Sequence, residues 1–184
     1  MPTDVSEINR DGLAQGVLIM VAFGLSWSVI AVTGLSVNAA LTALLIVAAA
    51  ALAGAIWWTA RRLRAGSPSG RPRRVSPNSR SVFTAVNAAQ WVLIVASVFV
   101  VVRAGQPALL WPIVGLIVGL HFLPLAKVFD VPVYWLTGTL MMLAAVAGIV
   151  AFAYDASNGA VRTVVGFPAA AVLWSTSLLV AKRG

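Results

Sequence analysis

Apolar residues are grouped along this sequence into six long runs, which mostly short polar segments separate. The hydrocarbon core of a bilayer is about 30 Å thick, and a helix needs about 20 apolar residues to cross it. No run has an Asp, Glu, Lys or Arg in its interior, where a charge costs at least about 2.5 kcal/mol. The pattern therefore predicts transmembrane helices over residues 13–32, 39–60, 82–102, 108–126, 131–153 and 163–181.

One connection, residues 61–81, is much longer than the others and is rich in Arg, Ser, Pro and Gly. Because it has no hydrophobic period, we predict a mobile, solvated loop. Its seven arginines can contact anionic lipid headgroups; they are Arg61, Arg62, Arg64, Arg71, Arg73, Arg74 and Arg80. The alternative is a loop that only sets the topology of the protein.

The composition agrees with a membrane protein, since 60% of the residues are hydrophobic and 10% are charged. Soluble domains are nearer about 25% charged. A formal net charge of +8 would suggest nucleic acid as the partner of a soluble protein. Here the bases lie between apolar runs, so we expect a lipid bilayer as the partner and no nucleic acid.

The basic residues also predict the orientation, because cytoplasmic loops of membrane proteins are enriched in Lys and Arg. With a cytoplasmic N terminus, only Arg103 and Arg162 of the 13 Lys and Arg residues lie outside. We therefore predict an all-α, six-helix transmembrane bundle of three consecutive hairpins with both termini in the cytoplasm. Its expected location is a bacterial inner membrane.

The single histidine, His121, lies inside the fourth run and three residues before Pro124. Pro124 is expected to bend this helix, because proline removes a backbone donor. Counting 1.5 Å per residue places His121 roughly 8 Å from the cytoplasmic end. Other helices bring polar and aromatic side chains to similar depths, namely Asn87, Gln90, Trp91, Tyr134, Trp135, Trp174 and Ser175.

These side chains and His121 define two alternatives. In the first alternative, they line one pocket facing the cytoplasm, in which Asn87 and Gln90 orient the imidazole. Otherwise they form a satisfied network between helices, and the aromatic residues are an ordinary interfacial belt. Ionisable residues within membranes usually face the bundle interior, so His121 is expected to point inward.

The fourth run also contains "GLIVG", in which Gly115 and Gly119 are four residues apart and share one helix face. Such faces let helix backbones approach closely in lipid. We predict a contact with another helix of the same chain, with a homodimer seam as the alternative.

The residue inventory argues against several chemistries. The chain has no cysteine, which excludes disulfides and thiol catalysis. One histidine without cysteine makes a poor metal or haem site. No carboxylate lies inside a predicted helix, although proton-coupled transport usually uses one. We therefore predict no catalytic residue, no metal and no cofactor.

The segment "GLHFLPLAKVF", followed by a short turn and "YW", resembles a pattern in small uncharacterised bacterial multi-pass membrane proteins. Those proteins carry a His-Phe-x-Pro-like element near a helix end and an aromatic residue soon after it. The resemblance covers residues 119–135 and implies that His121 and Pro124 act together, without implying an activity.

Two functions follow as expectations from the sequence. The first is a non-catalytic accessory or structural protein with a membrane protein partner or a second copy of itself. The alternative is a small-molecule binder or transporter that uses a cytoplasm-facing pocket around His121.

Overall fold

The computed structural model describes residues 5–65 and 79–183, and it describes side chains for residues 16–62 and 81–182. The helices are α1 (Val5–Val32), α2 (Ala39–Ala65), α3 (Ser79–Arg103), α4 (Leu110–Val128), α5 (Val133–Ala153) and α6 (Asn158–Arg183). A one-turn 3₁₀ helix, Pro107–Leu109, precedes α4. The described ranges contain no strand, so the prediction of an all-α protein with six helices is confirmed.

Five helical stretches within the described residues are long and apolar enough to cross a membrane. They are Ala39–Arg62, Ser81–Arg103, Pro107–Val128, Val133–Ala153 and Asn158–Lys182. The apolar part of α1, Gly16–Val32, is shorter. The protein thus has the helices of a multi-pass membrane protein.

Several helices extend beyond the apolar runs that predict them. α1 begins at Val5 and α6 at Asn158, eight and five residues before the predicted starts at 13 and 163. At α6, the Ala160 N–H donates to the Ser157 hydroxyl oxygen at 3.2 Å, which satisfies a free donor of the first turn. The length of an apolar run reflects only the part of the helix that lies in the membrane. The backbone hydrogen bonds of the helix continue through the polar residues on either side of it.

The predicted loop 61–81 is shorter at both ends, because α2 continues to Ala65 and α3 begins at Ser79. The Arg61 guanidinium lies 4.8 Å from the Trp57 ring centroid, and Arg62 lies 5.0 Å from Trp58. Both are pairs four residues apart on one helix face, and such pairs stabilise the last turns. The mobile part of the prediction falls on 66–78, outside the described residues.

The helix α6 has the most central position in the bundle. α6 contacts α1, α5, α2 and α4, and its contact with α1 is the most extensive in the bundle. α4 packs closely on α5, whereas α3 touches only α4 and the 3₁₀ helix among the described elements. The helices α2, α4 and α6 all end on one side, where Arg61, Arg62, Lys127 and Lys182 lie; we call this side the basic end.

Glycines permit close backbone contacts at two places in the bundle. Gly119 of α4 lies against Gly138 of α5, where a Cβ on Gly138 would be 2.6 Å from the Gly119 carbonyl oxygen. Gly115, one turn away, is also buried. On the other side of the bundle, Gly34 at the end of α1 touches the Gly159 backbone at the start of α6. The helices are therefore too close for side chains at these points.

Three helices end at a residue with a positive φ angle: Gly105 at 66°, Asp130 at 51° and Asp155 at 56°. After Gly105 and Asp155 the next N–H reaches back five residues, to the carbonyl oxygens of Val101 and Ala151. This motif satisfies carbonyl groups at the helix end and starts a tight turn.

Candidate functional site

His121 lies on α4 at the contact with α3. Its ring hydrogen-bonds to the backbone of Val86 on α3. The remaining ring nitrogen, Nδ1, is buried and has no hydrogen-bond partner among the described residues. A neutral imidazole has one donor and one acceptor nitrogen. With the donor directed at the Val86 carbonyl, Nδ1 is an unpaired acceptor.

Gln90 lies one turn beyond Val86 on α3 and is only 8% exposed. Its Oε1 atom is buried and has no partner among the described residues. Side chains on a helix tilt toward its N terminus, and α3 and α4 are antiparallel. Gln90 therefore tilts toward the level of Val86, and His121 tilts toward the level of Gln90. The α3–α4 contact thus holds two buried acceptor atoms that require a donor.

Asn87 is half-buried and hydrogen-bonds within its own helix. Its Nδ2 donates to the Phe83 carbonyl oxygen one turn earlier on α3, at 3.2 Å. Phe83 in turn packs edge-on against Phe129 at the end of α4, with 5.6 Å between ring centroids. The Asn87 side chain therefore stabilises the first turns of α3, and this hydrogen bond does not orient the imidazole.

Tyr134 lies in the first turn of α5 and is buried against α4. Its ring packs against Phe122 at 5.4 Å between centroids. Its hydroxyl oxygen lies 4.0 Å from the position of a Cβ on Gly16 of α1. Phe122 also packs edge-on against the His121 ring, with 6.0 Å between centroids, so it lies between the imidazole and Tyr134.

Trp174 lies between α6 and α1. Its Nε1 donates to the Val21 carbonyl oxygen at 3.2 Å, and its ring lies directly on Gly24. An indole donor inside a bundle needs such an acceptor, and the missing side chain of Gly24 leaves room for the ring. Trp174 therefore joins α6 to α1.

The other three predicted pocket residues lie at the surface. Trp91 is 56% exposed and Trp135 is 43% exposed. The ammonium group of Lys127, in the last turn of α4, lies 5.6 Å from the Trp135 ring centroid. Ser175 is exposed on α6. Among the eight residues, the structure brings only His121 and Gln90 to the same contact with unpaired polar atoms.

Pro124 lies within α4, which continues to Val128. Its missing N–H leaves the Leu120 carbonyl without the usual helical partner. The bend at Pro124 stays a prediction.

Of the predicted lipid-facing arginines, Arg61 and Arg62 are exposed and stacked on tryptophans. Arg64 and Arg80 lie in the terminal turns of α2 and α3, and Arg71, Arg73 and Arg74 lie outside the described residues. The described residues contain no group of three or more His, Cys, Asp or Glu side chains that could hold a metal ion.

Sequence reasoning did not pair Thr137 of α5 with Thr176 of α6. Their hydroxyl oxygens are 2.7 Å apart, and the two side chains are 1% and 3% exposed. They lie in the floor of an open cleft of about 180 Å³ between the two helices. The only signal in the sequence is that both are polar residues at the same depth of neighbouring helices.

Comparison of the chain with protein-family models, with curated proteins and with solved structures finds no match. None of the three comparisons bears on the His-Phe-x-Pro-like element at 119–135.

Proposed function

We propose that this protein is a non-catalytic accessory or structural component of a bacterial inner membrane, with a second membrane protein chain as its partner. The observation that carries the proposal is the position of α3 at the edge of the bundle. Only 11% of its apolar stretch Ser81–Arg103 is buried, and α4 is the only α-helix that it touches among the described elements. The apolar stretch of α2 is even less buried, at 6%, but α2 contacts both α1 and α6.

α3 is held against α4 by one narrow stripe of residues. The stripe has spacings of four, four, three and four residues and consists of Val86, Gln90, Ile94, Ser97 and Val101. The opposite face is apolar and repeats at spacings of three, four and three. Its members are Val92, Val95, Phe99 and Val102, which are 54–67% exposed. These four side chains share one face of α3. An exposed apolar face on a helix that touches one other helix among the described elements supports a partner role for α3.

Site-specific photocrosslinking from Phe99 tests the proposal. A photoreactive side chain at Phe99 is expected to form one discrete adduct with a second protein chain in native membranes. The same side chain at Leu143 on α5, which is 59% exposed, serves as the matched control and should form lipid adducts only. The crosslinked chain should also copurify with the unmodified protein in mild detergent. Lipid adducts alone at both positions would contradict the partner role.

A second candidate function is the binding of a small molecule at the α3–α4 contact. The two unpaired acceptors, Gln90 Oε1 and His121 Nδ1, favour it. A buried acceptor without a donor costs about 1–3 kcal/mol, and a ligand hydroxyl or amine would remove that cost.

Substitution at Gln90 separates the two candidates. In a structural contact, Gln90→Leu is expected to raise the free energy of unfolding by about 1 kcal/mol, because it removes an unsatisfied buried oxygen. His121→Leu should lower it by about 1 kcal/mol, since the hydrogen bond to Val86 is lost, while His121→Gln keeps a donor. Denaturation in mixed detergent micelles measures all three. A solute that stabilises the wild type but neither Gln90→Leu nor His121→Gln would establish the binding site instead.

We further propose that both termini and residues 66–78 lie in the cytoplasm, because only Arg103 and Arg162 of the 13 basic residues would then lie outside. The chain has no native cysteine, so single cysteines can be labelled selectively. Ser157→Cys, between α5 and α6, should react with an impermeant thiol reagent on intact cells. Ser69→Cys should react only after the cells are opened. The reverse pattern would invert the proposed orientation.

A further inference from the structure

The cleft between α5 and α6 lies in the half of the bundle nearest the basic end, and most of its lining is apolar. Val133 and Thr137 of α5 and Val172 and Thr176 of α6 lie in its floor. Its rims are formed by Leu136 and Leu140 on α5 and by Ala171, Ser175 and Leu179 on α6. The two threonine hydroxyl oxygens are 2.7 Å apart, and each also lies 2.7–2.9 Å from a carbonyl oxygen of its own helix. One hydroxyl donates to the other, which in turn donates to its own carbonyl oxygen. Their polarity is therefore satisfied within the protein, and the cleft has an apolar floor.

The size and position of the cleft restrict what can occupy it. Its volume of about 180 Å³ is below the roughly 300–1,000 Å³ of pockets for drug-sized ligands. It spans two turns of α5, from Val133 to Leu140, which is roughly 10 Å at 1.5 Å per residue. Both helices belong to apolar stretches long enough to cross a membrane. A narrow groove of this kind inside a bilayer fits a hydrocarbon chain.

A positive charge at one end of the cleft, on Lys182, favours a lipid with an anionic headgroup. Ser175, Leu179 and Lys182 follow each other at spacings of four and three residues, so all three lie on the same face of α6. Lys182 is exposed and is one turn beyond the last residue of the rim, at the basic end. A long basic side chain near a helix end extends to the membrane interface, where lipid phosphates lie. The exposed Ser175 hydroxyl can donate to an acceptor of the lipid within the cleft.

We propose that the α5–α6 cleft binds one acyl chain of an anionic phospholipid, whose phosphate contacts Lys182. The site is separate from the exposed face of α3, so it does not depend on the proposed partner. It also differs from general attraction of lipid to the basic end, because the cleft and Lys182 must act on the same lipid molecule.

Native mass spectrometry of the full-length protein in detergent, with added phosphatidylglycerol or phosphatidylcholine, tests this proposal. The wild type should bind the first phosphatidylglycerol more tightly than phosphatidylcholine. Lys182→Gln should weaken phosphatidylglycerol binding about fivefold, the equivalent of about 1 kcal/mol for one base near the phosphate. Phosphatidylcholine binding should weaken by less, because its choline cation already offsets the charge of the same phosphate. Ala171→Phe, which fills the cleft from an exposed rim position, should weaken binding of both lipids.

Two matched variants serve as controls. Lys127→Gln removes a base at the same end of the bundle, and Ala89→Phe adds the same ring at an exposed alanine of α3. Both should leave phosphatidylglycerol binding within about twofold of the wild type, a difference under about 0.5 kcal/mol. Ser175→Leu is a second filling variant on the rim, and the thermal midpoint of every variant verifies folding.

The proposal is overturned if lipid binding does not weaken in the Lys182 and cleft variants while it stays near the wild-type value in the controls. Equal losses in Lys127→Gln and Lys182→Gln would mean that lipid is attracted to the whole basic end. Unchanged binding in both Ala171→Phe and Ser175→Leu would mean that the cleft holds no acyl chain. In a third outcome, Ala171→Phe loses binding of both lipids while Lys182→Gln keeps full phosphatidylglycerol binding. The cleft would then bind a hydrocarbon chain without recognising the headgroup.

Discussion

Gly119→Leu is expected to lower the free energy of unfolding by about 3 kcal/mol or more, the upper range for overpacking a tight core. Even a Cβ at this position would lie 2.9 Å from the Gly138 carbonyl oxygen and 2.7 Å from Met142 Cγ. The methionine side chain can move, but the Gly138 backbone moves only if α4 and α5 separate. The reciprocal change Gly138→Leu should have an equal effect, since it meets the Gly119 carbonyl oxygen. Denaturation in detergent micelles, followed by tryptophan fluorescence, measures both.

Gly54→Leu is the matched control for this prediction. Gly54 also lies within a transmembrane stretch, on α2, but nothing lies within 4 Å of the position of its Cβ. Leucine has a higher helix propensity than glycine, so the variant should be as stable as the wild type or slightly more stable. If Gly54→Leu and Gly119→Leu lost the same stability, the close α4–α5 contact would not exist.

Trp27→Ala is expected to cost about 3–5 kcal/mol, the usual range for truncating a buried tryptophan. Trp27 is 3% exposed and packs edge-on against Trp111, with 6.3 Å between ring centroids. No backbone contact joins α1 to α4 among the described residues, so these two rings fill the space between them. Their removal leaves a cavity that rigid neighbouring helices cannot close.

Trp91→Ala is the control for the tryptophan prediction, because the same atoms are removed from a ring that is 56% exposed on α3. A surface substitution of this kind should change the free energy of unfolding by less than about 0.5 kcal/mol. The difference between the two variants in one denaturation series is the quantity to measure. A large loss for Trp91→Ala would mean that α3 packs on something besides α4.

The number and approximate position of the helices were predictable because the bilayer sets the length of an apolar run. The true starts of α1 and α6 were not, since helical hydrogen bonds continue into polar sequence. Counting residues also predicted that His121 and Gln90 lie at similar depths, and the two side chains lie on the helices α4 and α3, which contact each other. Helix length and residue counting do not depend on which helices are neighbours.

The direction in which each side chain points was not predictable. In a soluble helix, polar residues mark the outer face, but in these helices apolar residues cover the inner and outer faces alike. Trp91 and Trp135 therefore could not be distinguished from the buried Tyr134 or from Trp174, which binds the Val21 carbonyl. The cleft at Thr137 and Thr176 depends on the α5–α6 contact, for which hydrophobicity contains no signal.

The contact between α1 and α6 has a consequence for biogenesis. α1 leaves the ribosome before α6, yet each has its most extensive contact with the other. In cotranslational insertion α1 must therefore stay in lipid, with α2 as its one other helix contact among the described elements, until α6 has been made. A chain stopped before residue 158 would expose Gly24 in α1 and Gly34 just after it, because residues of α6 lie against both. Such a truncated product presents an unpaired glycine face, which a quality-control protease of the membrane can recognise.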